Sequence, residues 1–326
     1  MYHDRPAAPL AALSGDKIRW GRAEPLALLS IAEITRLLDP WLAGRDVIDA
    51  ELLRGGLSNR NFLLRLSGRP TECVLRVYDR DPSACAKEVA VLGLIGRDVP
   101  VPRVLYADDG RESGTALAVL SVVEGIPLFA LRQMGDADEL ADAVRDTGRV
   151  LARLAAYPGP PTQPESIVSV VGRLVSAPLF EERIPATTTE AVVRLAEDWQ
   201  PRLDVAVRHT GLVHGDFNSP NVFVTETDDG WRVSAVLDWE FARDASPFAD
   251  VGNFLRYHRA DRPRYEPHFS RGLVEGGMTL PDNWLMLARL ANLPALCELL
   301  GRRDVPDAVV AELRLLIDET LARPHG

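Results

Sequence analysis

Two stretches decide how this chain is interpreted: LVHGDFNSPNV at residues 212–222 and VLDWE at residues 236–240. A carboxylate such as Asp216 can accept a proton from a hydroxyl group, and Asn221 and Asp238 carry oxygen ligands of the kind that Mg²⁺ prefers. Phosphoryl transfer through a loose transition state demands positioning and charge neutralisation more than covalent chemistry. The two stretches therefore predict phosphoryl transfer, with Asp216 as the catalytic base and Asn221 and Asp238 as the metal ligands.

A second interpretation is that these residues only form turns, since Asp, Asn, Gly and Pro are all common there. Turn formation does not explain why Asn221 follows Asp216 by five positions and Asp238 follows Asn221 by 17. It also does not explain the apolar residues that flank both segments, which predict a hairpin with strands at 222–224 and 233–237. We therefore prefer the interpretation as a catalytic loop followed by a metal-binding strand end.

The sequence before these stretches predicts a small antiparallel sheet. Residues 30–42 have apolar side chains at helical spacing after a Ser, which indicates a helix. Alternating segments separated by turn residues then predict five antiparallel strands with one inserted helix. The strands are predicted at residues 47–53, 61–66, 73–78, 105–107 and 116–123, and the helix at residues 84–95. After Gly125 the pattern becomes helical, with a helix at 136–154 and two or more between 166 and 207.

With its HGD…N and DWE motifs, the chain resembles the aminoglycoside phosphotransferase and choline kinase family, relatives of the protein kinases, over roughly residues 45–260. The resemblance implies an α+β, two-lobed protein-kinase-like fold, with a small antiparallel N-lobe that contains one helix and a larger, mainly helical C-lobe. It implies an N-terminal arm and helix at 1–44, an N-lobe at 45–120, a hinge at 121–126 and a C-lobe at 127–326. ATP or GTP with Mg²⁺ is the implied phosphoryl donor.

The family's catalytic loop also implies two supporting residues. His214 belongs to the HGD motif itself, and Asp250 lies in FADVG at residues 248–252, where the family has an aspartate that begins a helix and braces the catalytic loop. An alternative for Asp250 is a simple helix N-cap. Both roles are compatible with one another.

A glycine-rich segment, RGGLSNRNF at residues 54–62, lies between two predicted strands. Small residues let backbone N–H groups approach phosphate oxygens, so the segment resembles the family's phosphate loop, particularly in the choline and thiamine kinase relatives. The predicted nucleotide-binding residues of this loop are Gly55, Gly56, Ser58 and Asn59. Taken alone, a Gly-Gly pair between strands is equally compatible with an ordinary hairpin turn.

Arg76 in the third predicted strand and Glu88 in the following helix match the kinase device of a strand cation paired with a helical glutamate at the α- and β-phosphates. Protein kinases use Lys here, and this chain has Lys only at positions 17 and 87. Lys87 is an alternative cation, but it is adjacent to Glu88 on a helix and is expected to point elsewhere. At the hinge, the backbone groups of three residues are predicted to bind the adenine edge: Ser121, Val122 and Val123.

The composition and the motif spacing limit which partners and substrates can be expected. A net charge of -10 argues against nucleic acid, and no apolar run long enough to predict a membrane span is present. Three Cys without metal-ligand spacing are consistent with the cytoplasm. Asp238 and Asp250 are only 12 residues apart, which leaves little room for the peptide platform of a protein kinase. A small-molecule hydroxyl is therefore the predicted acceptor; the sequence gives no oligomeric state.

Three functional hypotheses follow. The first is an ATP- and Mg²⁺-dependent kinase for a small-molecule alcohol, with aminoglycoside or other antibiotic-type acceptors slightly favoured. The second is a metabolic kinase of the choline, thiamine or sugar type, toward which the GGLSN and DWE motifs lean. The third is a nucleotide-binding regulator without catalysis, for which Arg76 in place of Lys is the support. Residues 255–326 contain ten acidic residues and ten Arg. This segment therefore has no acidic excess that would favour a polycationic acceptor.

Overall fold

The computed structural model describes residues 28–53, 59–134, 137–162, 165–206, 210–256 and 265–322. The fold is α+β, with a small antiparallel sheet and a larger set of helices, as predicted. The chain forms two compact units, each assembled from segments that are separated in sequence. The described residues of unit 1 lie within 28–140 and 220–241, and those of unit 2 lie within 141–219 and 242–322. This differs from the continuous lobes predicted above, since residues 220–241 pack with the N-terminal sheet.

Unit 1 contains the predicted five-stranded antiparallel sheet and its inserted helix. The elements in chain order are α1 (Ile31–Leu42), β1 (Val47–Leu52), β2 (Arg60–Leu66), β3 (Glu72–Val77), α2 (Ser83–Ile95), β4 (Val104–Asp108) and β5 (Leu117–Leu120). The strand order is β1-β2-β3-β5-β4, and all neighbouring strands are antiparallel. Strand β5 is shorter than predicted, so residues 121–123 lie beyond it.

Helix α1 forms because its sequence supplies both a cap and an apolar face. The Ser30 hydroxyl accepts from the Glu33 N–H while the Glu33 carboxylate accepts from the Ser30 N–H, which is a capping box. Ile34 and Leu38 are fully buried on the face that packs against the sheet, where Leu64 of β2 is also fully buried. Helix α1 thereby covers this side of the sheet, in which β2 and β3 pair with Asn61 opposite Arg76.

A second, three-stranded sheet in unit 1 carries the predicted hairpin. It consists of β6 (Ile126–Pro127), β8 (Val222–Thr227) and β9 (Gly230–Val236), in the order β6-β8-β9. Asp228 and Asp229 form the turn, as predicted from the Asp-Asp-Gly sequence, and Gly230 adopts a φ of 94° there. The pairing Val222↔Val236 fixes the end of the hairpin that leads into the DWE segment. Strand β6 has two residues and no alternation, and was not predicted.

Unit 2 is mainly helical. After β6 the chain forms α3 (Leu128–Met134), which belongs to unit 1, and α4 (Ala137–Leu154), which enters unit 2 at residue 141. The later helices are α5 (Ile167–Val175), α6 (Pro178–Arg183), α7 (Ala186–Ala206), α8 (Phe248–Leu255), α9 (Glu266–Glu275), α10 (Trp284–Leu300) and α11 (Asp307–Leu321). Two short strands, β7 (Gly211–Val213) and β10 (Arg243–Ala245), pair antiparallel. The helices at 137–154 and within 166–207 confirm the prediction, whereas β7 and β10 are too short for a periodic signal.

Close contact between α8 and α10 depends on Gly252, which has no Cβ atom. A Cβ atom on Gly252 would lie 2.0 Å from the Ala288 carbonyl oxygen, a separation that real Cβ atoms do not show. Since α8 also carries Asp250, this contact sets the position of a predicted site residue.

We expect Gly252→Ala to lower the free energy of unfolding by about 1–3 kcal/mol, because α8 must move away from α10 to accept the methyl group. Gly172→Ala in α5 is the matched control, since a Cβ there meets nothing within 4 Å. That variant should be as stable as the wild type or slightly more so, because Ala favours helix over Gly. Urea unfolding measures both; equal stability of Gly252→Ala and Gly172→Ala would contradict the close packing.

Candidate active site

Asn221 and Asp238 lie at the same end of the β8-β9 hairpin in unit 1. Val222 pairs with Val236, and the Leu237 N–H donates to the Asn221 carbonyl oxygen at 2.9 Å. Asn221 is buried, and Asp238 has a φ of 72°, a left-handed conformation that is uncommon for a residue with a Cβ. The hairpin thus presents both predicted metal ligands from neighbouring strand ends.

Arg76 of β3 is the centre of a buried ionic cluster, here called the Arg76 cluster, which comprises Arg76, Glu88, Asp238 and Glu240. Arg76 Nε lies 3.1 Å from a Glu88 carboxylate oxygen, and Arg76 Nη2 donates to Asp238 Oδ1 at 2.5 Å. The same Nη2 is 3.7 Å from Glu240 Oε2. The side chains of Arg76, Glu88 and Glu240 are less than a tenth exposed. The predicted Arg76–Glu88 pair is present, whereas the alternative cation, Lys87, makes no ion pair that the described residues reveal.

The Arg76 cluster contains more negative than positive charge. One guanidinium faces three carboxylates, which leaves an excess of two negative charges if all three are ionised. Burial raises the pKa of Glu88, and burial together with the nearby Asp238 raises the pKa of Glu240. Burial alone would lower the pKa of Arg76, but Asp238 and Glu88 raise it, so the guanidinium stays charged. A buried excess of this kind is what a divalent cation would neutralise.

The residues present fit Mg²⁺. This ion is usually held by one or two protein oxygen ligands and takes its remaining ligands from water and substrate phosphates. Among the described residues, no group of three or more His, Cys, Asp or Glu side chains is arranged to hold a metal ion alone. Asn221 and Asp238 therefore suit a metal that arrives with a nucleotide better than a resident structural metal.

The first part of the predicted catalytic loop, residues 214–219, lies in unit 2, where β7 leads into it and Asp250 of α8 contacts it. The carboxylate of Asp250 accepts from the His214 N–H at 2.6 Å and from the Gly215 N–H at 2.9 Å. Asp250 is the third residue of α8 and makes no N-cap bond, because the N-cap position is occupied by Pro247. The alternative of a simple helix cap is therefore wrong, and the contacts are those of a residue that braces the loop.

Two further contacts fix the loop around Asp216. The Asp216 N–H donates to His214 Nδ1 at 3.1 Å, so His214 carries its proton on Nε2 when neutral. Asn218 Nδ2 donates to Asp216 Oδ1 at 2.6 Å, which orients the carboxylate. Asp216 itself is partly exposed, as a base that receives a proton from a bound substrate must be. The hydrogen bond from the Asp216 N–H to His214 supports His214 as a residue that shapes the loop.

Asp250 gives a pH-dependent prediction. Burial raises the pKa of Asp250, although His214 and the two backbone N–H groups act against this. The folded state then holds the proton more tightly than the unfolded chain, so this contribution to stability is complete below the ordinary pKa and is lost as the pH rises through the raised value. We expect the free energy of unfolding of the wild type to fall with pH over this range relative to that of Asp250→Asn, which cannot titrate. Urea unfolding at a series of pH values measures this; parallel pH profiles would contradict it.

The structure describes only some of the predicted nucleotide-binding residues. Gly55, Gly56 and Ser58 lie outside the described residues. Asn59 is buried, and its side chain donates to Glu240 at 2.7 Å. At the predicted hinge, the Ser121 N–H already donates to the Arg103 carbonyl oxygen at 2.8 Å. Any adenine contact from Ser121 would therefore use another atom, and the roles of Ser121, Val122 and Val123 stay predictions.

A model of the phosphotransferase enzyme family, APH, matches residues 49–283 of this chain. The chain belongs to this family. Two solved structures of similar fold are the GDP complex of aminoglycoside 2'-phosphotransferase-IIIa and a thermostable mutant of aminoglycoside phosphotransferase APH(4)-Ia with ADP and hygromycin B. The first has a TM-score of 0.69 and 18% identity, covering 90% of this chain and 99% of that chain. The second has a TM-score of 0.63 and 19% identity, covering 90% and 98%.

A curated relative is acyl-CoA dehydrogenase family member 10 of Mus musculus, which is 29% identical over 259 residues. The match includes 70% of this phosphotransferase-family chain but only 24% of the mouse protein. The chain thus spans about a quarter of the relative's length, and the relative's name carries no activity over to it. None of the helices in the described residues has the length and apolar character needed to cross a membrane.

Sequence analysis of this phosphotransferase-family chain missed two side chains that the structure places beside site residues. Glu240 follows Asp238 by two positions and Asn218 follows Asp216 by two, so both were within the quoted motifs. Their chemistry as a carboxylate and an amide was visible, but their partners are set by tertiary contacts. Trp239 and Phe269 are fully buried and Tyr265 nearly so, so these aromatic side chains belong to the core.

Proposed function

We propose that this phosphotransferase-family chain transfers the γ-phosphoryl group of ATP or GTP, with Mg²⁺, to a hydroxyl group of a small molecule. The observation that carries the proposal is the Arg76 cluster, which joins a buried guanidinium to three carboxylates, one of them the metal-ligand candidate Asp238. Solved structures of similar fold are complexes with ADP, AMP-PNP or GDP, which supports a nucleotide donor.

In this proposal, each residue has one task. Arg76, held by Glu88, binds the α- and β-phosphates, and Asn221 and Asp238 hold Mg²⁺. When bound, Mg²⁺ neutralises the charge on the phosphate oxygens. Asp216 orients the acceptor hydroxyl and accepts its proton as the γ-phosphoryl group is transferred. Asp250 keeps the backbone of the loop in place through its bonds to His214 and Gly215.

For the acceptor, we slightly favour an aminoglycoside or another antibiotic-type molecule. Structures with the same fold are named as complexes with hygromycin B and with kanamycin, both small hydroxylated molecules. The alternative is a metabolic kinase for choline, thiamine or a sugar, toward which the GGLSN and DWE motifs lean. The balanced charge of residues 255–326 does not favour a polycation over a neutral acceptor.

For the compartment, we propose the cytoplasm, because free, buried cysteines suit a reducing environment.

An acceptor panel tests the proposal. The purified chain is given MgATP or MgGTP together with hygromycin B, kanamycin, choline, thiamine or a simple sugar, and nucleoside diphosphate release and product mass are measured. Acceptor-dependent release that is lost when Mg²⁺ is chelated supports the proposal and identifies the acceptor class. Magnesium-dependent nucleotide binding without a phosphorylated product on a broad panel would instead favour a non-catalytic regulator.

A further inference from the structure

Three consecutive residues of the DWE segment are each held by a different element of unit 1. Asp238 accepts from Arg76 of β3 at 2.5 Å. The Trp239 N–H donates to Glu88 of α2 at 3.2 Å, and the Trp239 indole N–H donates to the Val236 carbonyl oxygen at 2.9 Å. Glu240 accepts from Asn59 at 2.7 Å. A segment with a left-handed residue at Asp238 is therefore held in place from three directions.

Asn59 differs from Arg76 and Glu88 because it lies within the glycine-rich segment at residues 54–62. It directly precedes β2, and the Leu53 N–H donates to the Asn61 carbonyl oxygen at 2.8 Å, which closes the β1-β2 pair on either side of residues 54–58. The Asn59 side chain is 4% exposed, and its Oδ1 atom is buried without a hydrogen-bond partner among the described residues. Its Nδ2 group faces Glu240, whose Oε2 atom accepts the hydrogen bond.

We propose that Asn59 and Glu240 are positioning residues that form a latch between the start of β2 and the DWE segment, which carries the metal-ligand candidate Asp238. The inference rests on the proposed function, in which Arg76 binds nucleotide phosphates and Asp238 holds Mg²⁺. Asn61 of β2 pairs with Arg76 of β3, so the latch fixes Arg76 and Asp238 relative to one another, and phosphate contacts and metal contacts are made together. Asn59 thus acts through Glu240 and does not itself have to bind phosphate.

An exchange of the two side chains distinguishes this positioning role from a purely electrostatic role of Glu240. If Glu240 matters only as a negative charge near Arg76, from which it is separated by 3.7 Å, moving the charge to position 59 should not restore function. If the hydrogen bond between the two side chains is what matters, function should be retained when the donor and the acceptor exchange positions. The double variant N59D/E240Q keeps both the net charge and a carboxylate–amide hydrogen bond, but with donor and acceptor exchanged.

The experiment compares Asn59→Asp, Glu240→Gln and N59D/E240Q with the wild type. We expect Asn59→Asp to raise the KM for nucleotide on the order of tenfold to a hundredfold, with a smaller change in kcat, because two carboxylates then face each other. Glu240→Gln can still accept from Asn59 and should lose less. The double variant should return to within a few-fold of the wild type. Calorimetric titration with MgADP gives the same comparison without any turnover.

Glu72→Gln is the matched control, since Glu72 lies on β3 and its exposed side chain pairs with Arg65 at 3.4 Å. It should leave both KM and kcat unchanged. If Asn59→Asp does not fold, Asn59→Ala, which removes the donor without adding charge, takes its place. A double variant as impaired as Asn59→Asp, or an Asn59 variant with wild-type KM and MgADP affinity, would overturn the latch. A wild type that binds no nucleotide would instead overturn the proposed function, and the latch with it.

Discussion

Asp216→Asn is expected to lower kcat by roughly 10²- to 10⁴-fold, the range that removal of a general base usually costs. The amide has the shape of the carboxylate, and its Oδ1 can still accept from Asn218, which is 2.6 Å away in the wild type. It cannot take up the proton of an acceptor hydroxyl. Nucleotide affinity should stay nearly unchanged, because Arg76, Asn221 and Asp238 are untouched.

Single-turnover phosphoryl transfer and calorimetric titration with MgADP separate the two quantities. Asp228→Asn is the control, since it makes the same chemical change in the exposed hairpin turn and should leave both unchanged. Turnover of Asp216→Asn at the wild-type rate would remove Asp216 from its assigned role. A proportionate loss of nucleotide affinity would show that the substitution damages binding as well as proton transfer.

The fold could be predicted largely because its elements repeat a simple pattern. Alternation located β1 to β5, and the Ser30 cap with apolar residues at helical spacing located α1 to within a residue. Strands β6, β7 and β10 have two or three residues each, which is too short for any period to be recognised. Their pairing depends on partners distant in sequence, as in the pairing of Ile126 in β6 with Val224 in β8.

The site could be predicted to the extent that its chemistry lies within short motifs. The match to the kinase pair of a strand cation and a helical glutamate indicated Arg76 with Glu88, and the structure pairs them at 3.1 Å. The contact between Asn59 and Glu240 joins residues 181 positions apart, and no single motif contains both. Sequence analysis therefore assigned Asn59 to phosphate binding, whereas its side chain contacts Glu240. The roles of Asp216, Asn221 and Asp238 in catalysis stay predictions.

Removal of the cation from the Arg76 cluster should have the largest effect on stability. We expect Arg76→Met to lower the free energy of unfolding by about 3–5 kcal/mol at neutral pH, because it leaves buried carboxylates without a counter-charge. Arg76→Lys should lose less, because it keeps the positive charge. It should still lose some stability, because the compact ammonium lacks the two separated nitrogens, Nε and Nη2, with which Arg76 contacts Glu88 and Asp238. Arg65→Met on β2 is the matched control, because Arg65 is 58% exposed and its ion pairs contribute little.

The pH dependence of this loss identifies its cause. The pKa values of Glu88 and Glu240 are already raised in the wild type, and removal of Arg76 raises them further. As the pH falls, these carboxylates take up protons in the folded variant, and the buried charge disappears. The difference in unfolding free energy between wild type and Arg76→Met should therefore be largest near neutral pH and smaller in acid. Urea unfolding across this range measures it; a difference that does not change with pH would mean that lost packing, rather than uncompensated charge, destabilises the variant.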